Sequence, residues 1–250
     1  MNYATKFAAD FTKLTSKYAM VEDYVKQSAQ GITKGLIVNG PPGVGKTFAV
    51  KAYLEKHCPN NHKVVSGKIT MLMLYVALYN YRHKGRVLVL DDADDAYKDV
   101  LGLNLLKAAT DTRPIRNIHW ESNAKLTVPS SFDFEGSVIL VSNVGFGGNE
   151  RKLAAHLDAL KDRCRPIILS PNDNESLFKQ LCYMVFHHKM LKDYAFTADE
   201  EEMLMGYIET NLNSLHKISL RSVVKLADTY KYQNATWRMY ADETLLKVSV

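Results

Sequence analysis

The chain has 250 residues, 46% hydrophobic and 24% charged, an ordinary globular composition with material for one large domain or a large and a small one. No run of eighteen apolar residues is present and the charged N-terminus lacks an apolar core, so neither a membrane span nor a secretory leader is expected. Three scattered cysteines (Cys58, Cys164, Cys182) exclude a disulfide framework and point to a reducing, cytoplasmic setting; the net charge of +5 is spread along the chain, compatible with nucleic acid without showing it.

Residues 3–30 carry apolar positions at helical spacing: Phe7, Phe11, Leu14 and Tyr18, then Val21, Tyr24 and Val25. Two short amphipathic helices are predicted, packed beside the domain that follows. Leu36, Ile37 and Val38 form an apolar run closed by Asn39 and read as a buried strand. Gly40, Pro41, Pro42, Gly43, Val44, Gly45, Lys46 and Thr47 then fit G-x-x-x-x-G-K-[ST] at every position, and Phe48, Val50, Ala52, Tyr53 and Leu54 continue at helical spacing. Strand, glycine-rich loop and helix together predict a cradle for the phosphates of a nucleoside triphosphate. Gly43 and Gly45 let backbone N–H groups turn inward around an anion, and the helix beginning near Lys46 adds its positive dipole end. The Lys46 side chain is placed to reach the β- and γ-phosphates, and the Thr47 hydroxyl to ligate Mg²⁺.

Residues 58–62 form a turn cluster; His57, Cys58 and His62 lack a fourth metal ligand nearby and are read as loop residues. A second strand follows at 63–66 and an apolar helix at 69–81. The run from Arg86 through Leu90 to Asp91 and Asp92 reads as a strand buried on both faces, as in a parallel sheet. Its two aspartates stand at the C-terminal end, where open α/β sheets bind ligands. Asp91 is the candidate for Mg²⁺ and Asp92 for orienting or deprotonating an attacking water; Asp94, Asp95 and Asp99 are read as a helix cap and a solvated acidic run. A helix over 97–110 comes next.

Residues 115–128 alternate and turn, which predicts a hairpin with Leu126, Thr127 and Val128 returning and Lys125 near its tip. A further buried strand spans 137–143 and ends on Asn143. A helix runs from Lys152 to about Ala159, and Ile167 to Leu169 make a fifth strand. Three helical patterns occupy 174–188, 197–210 and 219–232, and the tail 233–250 has no assigned shape. The fold class is therefore α/β: a five-stranded parallel P-loop sheet flanked by helices over residues 1–170, then a small all-helical lid over 171–250.

Five motifs in this order resemble the AAA+ ATPases over about residues 20 to 232. Gly40 to Thr47 match Walker A, and Leu88 to Asp92 match Walker B. Val138 to Asn143 match sensor 1, which in the family lies between the other two strands. Ala159 to Cys164 resemble the arginine-finger segment of clamp loaders, and Ile218 to Arg221 match sensor 2. The resemblance implies that Asn143 holds the γ-phosphate or the water, that Arg221 closes the lid, and that Arg163 reaches a neighbouring subunit's site, with Arg165 as second candidate. It implies a homo-oligomeric ring, most simply a hexamer, that hydrolyses ATP with Mg²⁺. Most of the family has Glu where Asp92 stands; the Asp-Asp pair resembles helicase loaders and related transposition ATPases. The loop after the second strand, facing the pore in such rings, offers Lys68 and no aromatic residue, which disfavours protein threading. Lys68 and Lys125 are candidates for tracking a DNA backbone, while a hairpin that only packs against its neighbour is the other reading of the Lys125 segment. The expected role is a DNA-acting ATPase of replication, helicase or clamp loading, or packaging; the alternative is a protein-remodelling or assembly chaperone, and a small-molecule kinase is disfavoured. A chain with little beyond the family core suggests a dedicated, virus-encoded subunit acting in the host cytoplasm with a protein partner such as a helicase or polymerase.

Overall fold

The structure is a computed structural model and describes residues 3–93, 95–121, 127–143, 151–169, 171, 173–233 and 235–247. The chain forms two compact units: residues 18–41 with 46–169, and the described parts of 1–17, 42–45 and 170–250. Among the described residues no helix is long and apolar enough to cross a membrane.

The first unit is built on a five-stranded parallel sheet. Its strands are β1 (Gly35–Asn39), β2 (His62–Ser66), β3 (Val87–Asp91), β6 (Ser137–Ser142) and β7 (Arg165–Ile168), in spatial order β2-β3-β6-β1-β7. The sequence explains the order of burial. GLIVN, VLVLD and SVILVS are apolar runs, and these three strands occupy the middle with helices on their faces. Leu36, Val38, Leu88, Leu90, Val138, Ile139 and Leu140 are all fully buried. Removing one of these leucines to Ala costs about 2–5 kcal/mol, because the surrounding core does not collapse into the hole. The edge strands HKVVS and RPII carry polar residues and are half-exposed.

Helices α3 (Lys46–His57), α4 (Met71–Asn80), α5 (Asp95–Lys98), α6 (Val100–Ala109) and α7 (Arg151–Arg163) complete this unit. The helix expected over 97–110 is in fact two, because the Asp99 carboxylate accepts from the Leu101 and Gly102 amides and starts α6 afresh. The helix before β7 runs beyond Ala159 to Arg163.

The antiparallel hairpin differs from its expected form. Strand β4 (Arg116–His119) pairs with β5 (Ser131–Phe134), in register Arg116 to Phe134, so the return strand is 131–134 and begins later than the expected 126–128, of which Leu126 lies outside the described residues. Phe132 and Phe134 alternate inward with Ile118 and supply the buried apolar face of the hairpin. Lys125 lies outside the described residues, as does Asp94.

The second unit is helical: α8 (Asn174–Cys182) running into a π-helical turn, α9 (Ala198–Thr210), α10 (Leu220–Gln233) and α11 (Trp237–Leu245). The tail is thus helical, with Trp237, Ala241 and Leu245 buried at i, i+4 and i+8. At the N-terminus, one turn (α1, Tyr3–Lys6) precedes a single 22-residue helix, α2 (Ala8–Ala29), in place of two short ones. Tyr3 stacks on Phe186, and Tyr3, Phe7 and Phe11 meet Phe178 and Tyr183 edge to face, which joins residues 3–17 to the helical unit instead of the sheet.

Candidate nucleotide-binding site

Parallel strands deliver their C-terminal ends to one edge of the sheet, and β1, β3 and β6 bring Asn39, Asp91 and Ser142 there. Asp92 and Asn143 follow directly. The loop from Gly40 to Gly45 leaves the tip of β1 and enters α3 at Lys46. Within it Gly43 has φ of 86° and Gly45 of 91°, a backbone region closed to most side chains. A Cβ on Gly43 would also meet the Ser219 Cβ at 2.4 Å.

Lys46 is buried and donates to the carbonyls of Gly40 and Pro41, both at 2.8 Å, and to Asn143 Oδ1 at 2.7 Å. Asn143 in turn donates through Nδ2 to Asp92 Oδ1 at 2.6 Å. The Thr47 hydroxyl donates to Asp91 Oδ1 at 2.8 Å, and Ser66 Oγ approaches Asp91 Oδ2 at 3.5 Å. Five residues separated by up to 97 positions are thereby joined at the sheet's edge: Lys46, Thr47, Asp91, Asp92 and Asn143.

The Asp92 backbone is unusual. Its φ of 51° is left-handed, which aspartate tolerates better than most residues, and its N–H is held by the Val141 carbonyl at 3.0 Å. This kink turns the chain out of β3 and gives the two successive aspartates separate partners. Asp91 meets Thr47 while Asp92 meets Asn143. The donor set suits a nucleotide with a hard cation: a buried carboxylate and a hydroxyl 2.8 Å apart for Mg²⁺, an ammonium beside the loop, and two glycines that free the amides.

In the helical unit, residues 42–45 of the loop pack on the start of α10. The Leu220 N–H donates to the Gly43 carbonyl at 2.8 Å, and Gln180 Nε2 to the Val44 carbonyl at 3.2 Å. Arg221 follows Leu220, and with Pro42, Lys217, Ser219, Ser222 and Lys225 it lines a cavity of about 140 Å³. Lys217 and Lys225, not singled out in the sequence, make this lining strongly cationic.

Arg163 and Arg165 stand elsewhere. Arg165 pairs with Leu36 at the start of β1, and the Cys164 sulfur lies against Gly35, so both arginines sit at the N-terminal ends of the strands. From Leu36 to the cradle is roughly 13 Å of strand at about 3.3 Å per residue. Arg163 Nη1 donates to the Ala159 carbonyl at 2.7 Å. The Asp111 carboxyl is held below its ordinary range, first by hydrogen bonds from the Arg113 amide and guanidinium, and further by the nearby charge of Arg163.

Two contributors were missed in the sequence. Asn39 caps the loop entrance, its Oδ1 accepting from the Gly40 N–H at 2.7 Å. Ser66 brings a hydroxyl from the tip of β2 toward Asp91. A polar residue at the C-terminal end of a strand was the available signal for both.

A P-loop strand flanked by β6 and β7, with the acidic strand beyond a polar-tipped one, is the fold of the AAA+ ATPases, and this chain has it. Over 93% of its length it matches RuvB of Thermotoga maritima, a Holliday junction branch migration motor, at TM-score 0.51 and 14% identity, covering 68% of that chain. A glycine-for-proline mutant of the same RuvB gives 0.54, again at 14% identity, with 69% of that chain covered. At such identity the likeness speaks for the fold. In sequence, the chain is 27% identical over 240 residues to a 36.7 kDa protein of the nrdC–mobD intergenic region of Enterobacteria phage T4, spanning 92% of this chain and 74% of the phage protein. No protein-family model matches the chain.

Proposed function

We propose that this protein hydrolyses ATP at the interfaces of an oligomeric ring and uses the cycle to remodel or move on DNA. The observation that carries the reading is the hydrogen-bonded chain from Lys46 through Asn143 to Asp92, with Thr47 and Asp91 beside it. The amides of Gly43, Val44 and Gly45 cradle the phosphates, Pro41 and Pro42 having no N–H to offer, and Lys46 exchanges its loop carbonyls for phosphate oxygens. Thr47 and Asp91 would hold Mg²⁺, which would supply Lewis-acid stabilisation of the phosphate oxygens. Asp92 accepts the proton of the attacking water, and Asn143 keeps its carboxylate aimed. Arg221 takes the sensor 2 role that the family resemblance implies, responding to the terminal phosphate. Arg163, or Arg165, lends a cation to the next subunit's site; the strand register puts both near the far end of their own β1, which favours a role in trans.

Several features support DNA as the substrate. The RuvB match is a branch migration motor, the chain is basic, and the loop after β2 presents Lys68 without an aromatic residue. The phage relative agrees with a virus-encoded subunit; on this reading it acts in replication, helicase loading or packaging, in the host cytoplasm, with a helicase or polymerase as partner. The decisive measurement is steady-state ATP hydrolysis with and without single- and double-stranded DNA, beside a sizing run with ATP. DNA-stimulated turnover by a hexamer-sized species is expected. Turnover in a monomer, unmoved by DNA, would refute the proposal.

A further inference from the structure

Strand β2 is an edge of the sheet; among the described residues no strand pairs with its outer side. Lys63 and Val65, two residues apart, turn their side chains to one face, as strand geometry requires. Helix α4 lies along the same face and presents Met73, Val76, Ala77 and Asn80, the i, i+3, i+4, i+7 stripe of a helix. Between strand and helix runs a groove of about 570 Å³. Its floor is apolar, Met73 is 54% exposed within it, and Ile69 and Tyr81 close the ends. The charged side chains that line it are Lys63 and Lys68, both cationic. The Tyr81 hydroxyl reaches the His62 carbonyl at 3.3 Å at the start of the strand.

We infer that this groove receives an extended acidic-hydrophobic peptide of another protein, added to the sheet as a strand beside β2. An added strand would lie about 4.8 Å out, pair with the outward backbone groups of Val64 and Ser66 beyond the Tyr81 contact to His62, and drop alternate side chains onto the α4 stripe. Backbone pairing provides attachment, the floor selects a β-branched or leucine side chain, and the two lysines select carboxylates on the flanking positions. An open strand edge beside an uncovered apolar stripe is a hazard that charged flanks only partly blunt, and a dedicated occupant resolves it. The inference uses no nucleotide chemistry and stands or falls apart from the ATPase reading.

The test uses the full chain against a display library of eight-residue peptides alternating Val or Ile with Glu or Asp, beside a matched library carrying Lys at the acidic positions. Acidic members should be selected over lysine members. The best of them should lose at least tenfold in affinity on Met73→Glu and on Lys63→Glu, with ATP hydrolysis of both variants unchanged within twofold. N-methylation at alternate amides of the peptide should abolish binding in one frame and leave it in the other. Equal selection of both libraries, binding indifferent to Met73→Glu, or indifference to N-methylation would overturn the inference. So would a concentration-dependent dimer abolished by Met73→Glu, which would give the groove to a second copy, or loss of single-stranded DNA binding in that variant with peptide binding intact.

Discussion

The three inner strands and the two edge strands of the same sheet do opposite things. β1, β3 and β6 are buried along their length and end in residues already joined to one another: Lys46 to Asn143, Asn143 to Asp92, Thr47 to Asp91. Beside the edges stand residues of another kind. Lys63 and Lys68 flank an open groove on β2, and Arg163 and Arg165 border β7 at the end of the strands away from the cradle. The difference teaches where the protein is self-sufficient. The candidate nucleotide residues are fixed inside one chain by burial and mutual hydrogen bonds, and on the proposed reading contacts with other protein chains are carried at the sheet's margins.

The sharpest way to break this division is at its centre. Lys46→Ala removes the ammonium that joins the Gly40 and Pro41 carbonyls to Asn143. ATP binding, read by a fluorescent analogue, should fall below detection with the fold retained by circular dichroism. At the margin, Arg163→Ala should lower turnover by roughly 10³-fold, the low end for an arginine supplied in trans, and leave ATP binding intact. A mixture of Lys46→Ala and Arg163→Ala chains should recover activity that neither has alone, because one junction then pairs an intact cradle with an intact arginine. No recovery would move the arginine's role back inside the chain or to Arg165. Asp92→Asn comes next: it keeps the shape and the Asn143 contact region while losing the base, so ATP should bind normally and hydrolysis slow by roughly 10²-fold or more.

The inner strands were the legible part of the sequence. A parallel strand covered on both faces reads as an unbroken apolar run, and the candidate residues at its tip are the first two polar positions after it: Asp91 and Asp92 after Leu90, and Asn143 behind Ser142 after Val141. The errors fall where the pattern mixes signals. Phe7, Phe11, Leu14, Tyr18, Val21 and Val25 continue one 3/4 spacing without a break, so α2 is a single helix, and dividing it ignored that continuity. The return strand of the hairpin was misplaced because Ser131–Phe134 sits only two residues before β6 and reads as its approach. Arg116 could not have been found. It alternates in phase with Ile118, but nothing in Arg-Asn-Ile-His says that the guanidinium is 1% exposed, donating to the carbonyls of Ala109, Phe134 and Gly136 at 2.8–3.0 Å.

That arginine offers a milder probe, because it ties the hairpin to the end of α6 and the entrance of β6. Burial lowers its pKa to about 10, so it keeps its charge at neutral pH. Arg116→Met would take the guanidinium donor from three buried carbonyls and should cost about 3 kcal/mol, on the scale of ~1 kcal/mol for each lost contact. Denaturant unfolding of the full chain measures it. A cost below about 1 kcal/mol would mean that the hairpin repacks and is held by Phe132 and Phe134 alone.

The smallest expected effect lies at the outermost position. Lys68, in the loop after β2, has no assigned part in the cradle, so Lys68→Ala should leave basal ATP hydrolysis within twofold. A lysine that follows a phosphate backbone acts by displacing condensed counterions, not by reading bases. Its loss should therefore weaken single-stranded DNA binding about equally for all sequences and reduce the slope of log affinity against log salt by about one. The two readouts separate the roles open to an exposed lysine: a base contact would change affinity for some sequences and not others, and a purely solvated side chain would leave the slope where it was. An unchanged slope would take DNA away from this loop and leave the lysine to the peptide groove that it borders.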